Sequence, residues 1–476
     1  MILNKTLIAL IIGPCIPHRH YVCILGFLGL TISYIMRFCL SMALTEMVQR
    51  PKHKIDPDAC ATREPPDEKL PKEKEFKWSG EEQGRVNAAF FWGYTITLIP
   101  GGLTSEKLGA KITLEIFIGI TSILCFITPI IARTLEVWGM IVLRFCMGLA
   151  QGFVYASLHD VVAAWVPKFE RGLWGSVVFS GAHSGNALNS LLSALLIGWT
   201  GRWDIVFYVW GIFGLVWTVL YGFTTYAFPN AHPNMKPKEK EILDAYLAEI
   251  QKKETTTYTP WKEIFKSNPV WAINICMFGH SWALFMTVTS LPLYFSSVMR
   301  FNIKKNGYAN AGLYIAMWII CILSGYFVDF LEKRNYLSTI WSRKIFTTVA
   351  SVGPSLGLVG AGYAGCSALW SQVSFITGMA TMGFFYPSLK INPIDLAPSY
   401  AATIGAMMHT TGALAGDIAP YVTGAMTPNS TLAEWRLVFW VSFVIMSLTN
   451  IYYLLFAKAD IQPWNSAKKP EPAGDK

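Results

Sequence analysis

Residues 138–164 read WGMIVLRFCMGLAQGFVYASLHDVVAA. A helix rises 1.5 Å per residue, so about 20 largely apolar residues cross the roughly 30 Å of hydrocarbon in a bilayer. This stretch is long enough to cross, and it carries a single arginine, Arg144, near its start. It is one of twelve such stretches; the others are 21–46, 83–105, 112–132, 174–199, 204–228, 269–297, 309–330, 345–363, 368–389, 400–426 and 435–457. Transmembrane strands would show alternating runs of about 10 residues, and most of these runs are longer and continuous. The reading is an all-α membrane protein.

Composition agrees. Hydrophobic residues make up 53% of the 476 and charged residues 14%, against roughly 25% charged in soluble proteins; mean hydropathy is +0.38. A water-soluble enzyme of this size needs more surface charge. The net charge of +9 sits mostly between apolar blocks, as beside an anionic leaflet, rather than in the basic patch of a nucleic-acid binder. The nine cysteines are odd in number, and Cys23, Cys39, Cys125, Cys146, Cys276 and Cys321 lie inside apolar runs, which excludes a secreted disulfide framework. No zinc-type Cys/His spacing, no glycine loop ahead of Lys-Ser/Thr and no nucleophile elbow is present, so neither an enzyme, a metal site nor a cofactor is expected.

The runs divide six and six. The expected layout is a tail (1–20), a six-helix bundle (21–228) with a long polar loop at 47–82, a linker (229–268) with an amphipathic stretch Lys238–Ile250, a second six-helix bundle (269–457), and a tail (458–476). The short apolar run Leu7–Gly13 has no clear cleavage site after it and is expected to stay as part of the first tail. With both termini in the cytoplasm, most Lys and Arg fall on the cytoplasmic side, seven in the linker alone; the short outer loops hold Arg133, Arg202, Arg300, Lys304 and Lys305. That orientation puts Asn429-Ser430-Thr431 outside as a glycosylation acceptor and Asn4-Lys5-Thr6 inside.

The halves share a motif. Gly102-Leu-Thr-Ser-Glu106-Lys107-Leu-Gly109-Ala-Lys111 follows the second span, and Gly325-Tyr-Phe-Val-Asp329-Phe-Leu-Glu-Lys333-Arg334 follows the eighth. The glycine would let helices approach closely. The acid would pair with neighbouring bases, among them Arg171, and hold the cytoplasmic side shut. Ordinary helix-end charge is the plain alternative for one copy; two copies at equivalent positions favour a gate. Twelve spans in two related halves imply a transporter with its site at the mid-plane.

A charge at the centre of a spanning helix costs about 2.5–3.5 kcal/mol on insertion scales, so each needs a reason. Two arginines lie well inside spans: Arg37 in the first and Arg144 in the fourth. Gln151 lies two turns from Arg144 on one face, continued by Tyr155 and His159 and flanked by Gly148 and Gly152, which leave room for a helix or ligand. Guanidinium forks on two helices suit a carboxylate or phosphate; a structural ion pair is the alternative for each. His280, mid-seventh span, reads as an anion contact, a proton carrier or a satisfied buried imidazole. His183, Asn186 and Asn189 read as helix–helix hydrogen bonds. Asp417, eight residues after His409, and His159 are weaker candidates for a coupling ion.

These residues carry a resemblance. Arg37-x-x-Leu-Ser41, Phe90-Phe-Trp-Gly-Tyr94, Ile99-Pro-Gly-Gly102, Arg144-x-x-x-Gly-x-x-Gln151-Gly, Trp165-Val-Pro167, Glu170-Arg171, Ser281-Trp282, Asp395-Leu-Ala-Pro398 and Gly424-Ala-Met resemble solute carrier family seventeen, the anion:cation symporter branch of the major facilitator superfamily. The resemblance implies the major facilitator fold, with two six-helix bundles related by a pseudo-two-fold axis, and an anion path lined by Arg37 and Arg144. Where sialin and the vesicular glutamate transporters carry a titratable Glu this chain has Gln151, and where the glutamate transporters carry a His and an Arg it has Asn87 and His280. Gln at that position is similar to the sodium–phosphate cotransporter group, whose members also carry organic anions.

The expectation is a multi-pass, monomeric secondary transporter. Substrate-binding residues would be Arg37, Arg144, Gln151, Tyr155 and His280. Its partners would be a small anion, a coupling cation (Na⁺, with H⁺ the alternative) and the bilayer of the plasma membrane or an organelle. A proton-driven exporter of organic anions, a non-transporting sensor and a channel remain as alternatives.

Overall fold

The computed structural model describes residues 17–49, 74–167, 174–175, 177–227, 229, 235, 237, 239–243, 260–365, 367–397 and 400–466. The amphipathic stretch of the linker is described only at 239–243; Arg171, the run Leu7–Gly13 and Asn4 lie outside the described residues.

Among these residues the chain is helical, with one isolated bridge, Val48 to Phe76, in place of a sheet. In order come α1 (His18–Met47), α2 (Gly80–Leu108), α3 (Ala110–Trp165), α4 (Gly181–Leu188), α5 (Ala194–Thr200), α6 (Ile205–Thr224), α7 (Trp261–Lys266), α8 (Asn268–Ser297), α9 (Ile303–Lys333), α10 (Thr339–Tyr363), α11 (Ala368–Thr381), α12 (Asn392–Leu396), α13 (Ala401–Met426) and α14 (Leu432–Phe456). A 3₁₀ turn, Met382–Phe385, extends α11. Seven of these are long and apolar enough to cross a membrane. One, α3, has 56 residues, enough for two crossings, and breaks into two helices at Glu136 (φ 47°, ψ −137°). With that break counted, and with α4 and α5 joined through the π-helical turn Asn189–Ser193, there is a helical run for each of the twelve expected spans.

Local chemistry sets the ends. Ser79 and Glu82 cap α2 reciprocally: the Glu82 N–H donates to Ser79 Oγ (3.2 Å) and the Ser79 N–H to Glu82 Oε2 (2.7 Å). Gly109, at φ +88°, takes the turn between α2 and α3 that a side chain would strain.

The chain forms two compact units: residues 1–252, 285–315 and 416–435 in one, and 253–284, 316–415 and 436–476 in the other. In the first, glycines let helices touch. A Cβ on Gly93 would stand 2.2 Å from the Phe145 carbonyl oxygen, and one on Gly148 would stand 1.9 Å from that of Phe90. Gly181 and Gly185 seat α4 on the Phe27 and Thr31 carbonyls of α1. In the second unit, Gly357 of α10 lies against Gly378 of α11. Gly325, the glycine of the second motif copy, was expected to make such a contact and does not: a Cβ there would meet nothing within 4 Å among the described residues.

Candidate anion site

The arginines of α1 and α3 come together. Both are 3% exposed. Arg144 donates from Nη2 to the main-chain oxygen of Arg37 at 2.9 Å. Arg37 donates from Nε to Gln151 Oε1 at 2.9 Å, and Gln151 Nε2 donates to the Ser33 carbonyl at 3.0 Å. Gln151, 1% exposed, therefore fixes the Arg37 fork while its own amide is satisfied on both sides. The Arg37 guanidinium lies 4.6 Å from the Tyr34 ring, 4.9 Å from Phe90 and 4.5 Å from Tyr94; that of Arg144 lies 4.7 Å from Phe90. These cation–π contacts hold the charges without neutralising them.

No carboxylate among the described residues lies within 4 Å of either guanidinium, so the structural ion-pair alternative finds no partner there. Arg144 Nε is buried with no acceptor. Two buried cations in contact and an unsatisfied donor form the electrostatic complement of an anion.

The remaining predicted residues divide. Tyr155 and His159 do follow Gln151 along α3, but their rings pack at a tilt on Phe179, at 5.1 Å and 4.2 Å, and on each other at 5.3 Å. The space flanked by Gly148 and Gly152 is filled by α2: Phe90 on the first, Tyr94 and Thr97 on the second. His280 belongs to the other compact unit and lies flat on Phe385, centroids 4.0 Å apart. Asp417, 2% exposed, accepts from Thr95 Oγ1 at 3.1 Å. Asn429 donates its side-chain amide to Glu434 Oε1 at 3.0 Å.

Of the gating residues, Lys111 donates to the Gly222 carbonyl at 2.9 Å and lies 3.7 Å from Glu115. Arg334, just past the end of α9, lies over Phe330. Glu106, Lys107, Asp329 and Lys333 are helical, and their side chains fall outside the description.

Comparison with known proteins settles the class. The model of the Major Facilitator Superfamily matches residues 26–420. Sialin of Ovis aries is 34% identical over 94% of this chain and 91% of that protein. The Drosophila melanogaster protein named "Putative inorganic phosphate cotransporter" is 30% identical over 96% of this chain and 88% of its own. Vesicular glutamate transporter 2 of Mus musculus is 32% identical, covering 94% and 75%. The chain belongs to the Major Facilitator Superfamily, in solute carrier family seventeen.

Its fold is that of the superfamily. An inward-facing, unoccupied bacterial homolog of the lysosomal transporter Spinster matches with TM-score 0.69 at 14% identity, covering 94% of this chain and 99% of that one. The inward-open xylose transporter XylE of E. coli matches at 0.66 and 12%, covering 92% and 96%. This member of solute carrier family seventeen is thus a multi-pass membrane transporter of an anion-carrying family, not an enzyme.

Two groups escaped the sequence reading. Arg343, counted there only as a positive charge, is a buried hub of the second unit: Nε donates to Asp395 Oδ2 (2.7 Å), and Nη1 to Glu332 Oε1 (2.8 Å) and the Pro387 carbonyl (3.0 Å). Glu332 stands inside the second motif copy, so the acid was visible, but its partner on the next helix was not. In the first copy, Ser105 donates to Asp160 of α3.

Proposed function

We propose that this protein is a secondary active transporter that carries a small anion, inorganic phosphate or an organic acid, by cation-coupled alternating access. One observation carries the reading: Arg37 and Arg144 are buried side by side, with no carboxylate among the described residues within 4 Å. A permanent charge costs free energy in such a place, and a fold under no demand to bind an anion gains nothing by keeping two.

Substrate would enter with its charged group beside the two forks, taking the vacant Arg144 Nε–H. A coupling cation would offset its charge, and the halves 21–228 and 269–457 would then move about the loaded site. Both termini face the cytoplasm in this reading. Gln151 cannot titrate, which favours a Na⁺-coupled carrier of the phosphate-cotransporter type. Against a phosphate assignment, identity to sialin is higher, at 34% against 30%. A second reading, proton coupling, is favoured by the buried carboxyl of Asp417.

The test is uptake of labelled phosphate, urate and glutamate into proteoliposomes, each with and without Na⁺ and a proton gradient. The expected result is saturable uptake of at least one anion that disappears in Arg37→Ala with the protein still folded and inserted. Unchanged uptake in that variant would remove the site.

A further inference from the structure

We propose that Lys390 is a second anion-binding group of this transporter, one that meets the carboxylate or phosphate of the substrate at the end of the tenth span read as cytoplasmic. This rests on the reading of the chain as an anion transporter and adds a station to it: Arg37 and Arg144 belong to the first compact unit, and Lys390 belongs to the second.

The chain leaves the helix just before Lys390. α11 is regular to Thr381, tightens into the 3₁₀ turn Met382–Phe385, and gives way to turns over 386–391 ahead of α12. Pro387 is the local cause. It has no N–H to offer the Gly383 carbonyl four residues back; Ser324 Oγ of α9 donates there instead, at 3.1 Å. The Pro387 carbonyl is taken in turn by Arg343 Nη1 of α10 at 3.0 Å. Past the proline the winding widens, and the Lys390 N–H donates to the Phe385 carbonyl, five residues back, at 3.2 Å. Gly383 lets this end lie on α9, where a Cβ would stand 2.6 Å from the Cys321 nitrogen. Side chains of two neighbouring helices thus hold an irregular end of a span in place. Broken spans of this kind are where transporters place groups that meet their substrates.

The break sets what Lys390 presents. Its ammonium lies over the Tyr386 ring at 5.1 Å, with the Cys321 thiol of α9 nearby, and neither neutralises it. No Asp or Glu among the described residues lies within 4 Å of it. A lysine at a membrane edge ordinarily stretches out to water; this one is half-buried and folded back on the ring four residues before it. An ammonium so held keeps three donors and its full charge. It asks one oxygen of a carboxylate or phosphate rather than a paired geometry. A point charge also holds an anion less tightly than two forks do, which suits a group that passes substrate to or from water.

Two relations put Lys390 on the path. Tyr386 packs edge-on against Phe385 at 5.4 Å, and His280 lies flat on Phe385 at 4.0 Å, so a row of rings runs from mid-α8 to the ammonium. The tenth span is also the fourth of its half, as the span of Arg144 is of the first. Each half therefore offers a cation from the equivalent helix.

The test uses purified full-length protein in liposomes of phosphatidylcholine alone, which carry no anionic headgroup. A membrane-permeant acylating ester is applied, and labelling of Lys390 is read by mass spectrometry with the exposed Lys458 as internal control. Whichever of phosphate, urate and glutamate the wild type exchanges is expected, at saturation, to slow labelling of Lys390 at least fivefold and leave Lys458 unchanged. Half-saturation of equilibrium exchange is the second readout. Lys390→Gln is expected to raise it about tenfold with the maximal rate within threefold of wild type, and Lys390→Arg to bring it back within threefold. Labelling of Lys390 that ignores an exchanged anion overturns the proposal and leaves the anion reading standing, whether or not Lys390→Gln folds. Unaltered half-saturation in Lys390→Gln overturns it as well. Protection by phosphatidylglycerol added to the vesicles, with none from the exchanged anion, would give the lysine to a lipid headgroup and overturn it too. A wild type that exchanges none of the three anions overturns the reading and the proposal together.

Discussion

The guanidinium of Arg144 is hydrogen-bonded at 2.9 Å to the main-chain oxygen of Arg37. The link runs from a side chain to a backbone, so α3 reads the position of α1 at the residue whose side chain offers the second charge. Displacing α1 along its axis by one residue would break both this contact and the one from Arg37 Nε to Gln151.

Substitution of Arg144 should separate charge from shape. Arg144→Lys keeps the cation and loses the fork that reaches the Arg37 carbonyl while presenting Nε to a substrate. We expect transport to fall about 100-fold, on the scale of two charge-assisted hydrogen bonds at roughly 1.4 kcal/mol per decade. Initial-rate uptake in liposomes is the measurement; a Lys variant within a few-fold of wild type would show that charge alone suffices.

Gln151→Glu should convert the site into one with an internal competitor. Its carboxylate would still accept from Arg37 Nε, would lose the donor now given to Ser33, and would neutralise the guanidinium that the substrate needs. Apparent KM should rise at neutral pH and recover as the pH falls and the new acid takes up a proton. The measurement is KM against pH for wild type and variant; parallel profiles would contradict the contact.

The glycines give a stability contrast. Gly148→Ala forces a methyl group to 1.9 Å from the Phe90 carbonyl, a rigid backbone neighbour, and should destabilise by about 3 kcal/mol or abolish folding. Gly325→Ala meets open space among the described residues and should leave stability unchanged or slightly improved. Thermal unfolding in detergent distinguishes them.

At 74–79 and its neighbours, acid sensitivity should come from Glu75. It accepts from Arg133 Nε at 2.7 Å and from Trp203 Nε1 at 2.8 Å. Hydrogen bonding by Arg133 holds its carboxyl below the usual range, against a smaller opposing effect of burial. Its contribution is therefore present above the unfolded-state value near 4.5 and is lost as pH falls through the lower folded-state value. The groups are substantially exposed, so the loss should stay below about 1 kcal/mol. Glu75→Gln should flatten that limb of a stability–pH curve; a curve superimposable on wild type would rule the pair out as a contributor.

The helices were the most legible part of the sequence because hydrocarbon imposes length and composition on each one separately. The runs read at 269–297 and 400–426 correspond to helices at Asn268–Ser297 and Ala401–Met426. Arg37, Arg144 and Gln151 were legible for the same reason: a polar group in an apolar run stands out, and helical spacing places Gln151 on the face of Arg144. Partners supplied by another helix were not legible. The aromatic run Phe90-Phe-Trp-Gly-Tyr94 was noticed, but nothing along the chain shows that Phe90 and Tyr94 stack under the Arg37 charge. The link from Arg343 to Asp395 spans 52 positions, and that from Thr95 to Asp417 spans 322; no local periodicity carries such pairings. The role read for Gly325 failed because a glycine's use depends on what lies opposite it.

The π-turn at Asn189–Ser193 has an evolutionary corollary. Upstream of it the chain rests on α1, through Gly181, Gly185 and the Ser184 hydroxyl (3.0 Å from that of Thr31); at its end, Ser193 accepts from Trp210 Nε1 of α6 at 3.0 Å. Such a turn holds one more residue than an α-turn. Losing a single codon here would restore regular winding and leave the chain on either side facing as it does now, whereas the same loss in a regular helix would swivel everything after it by about 100°. In this membrane segment, length can therefore drift by one residue without pulling the helix on either side of the turn off its neighbours.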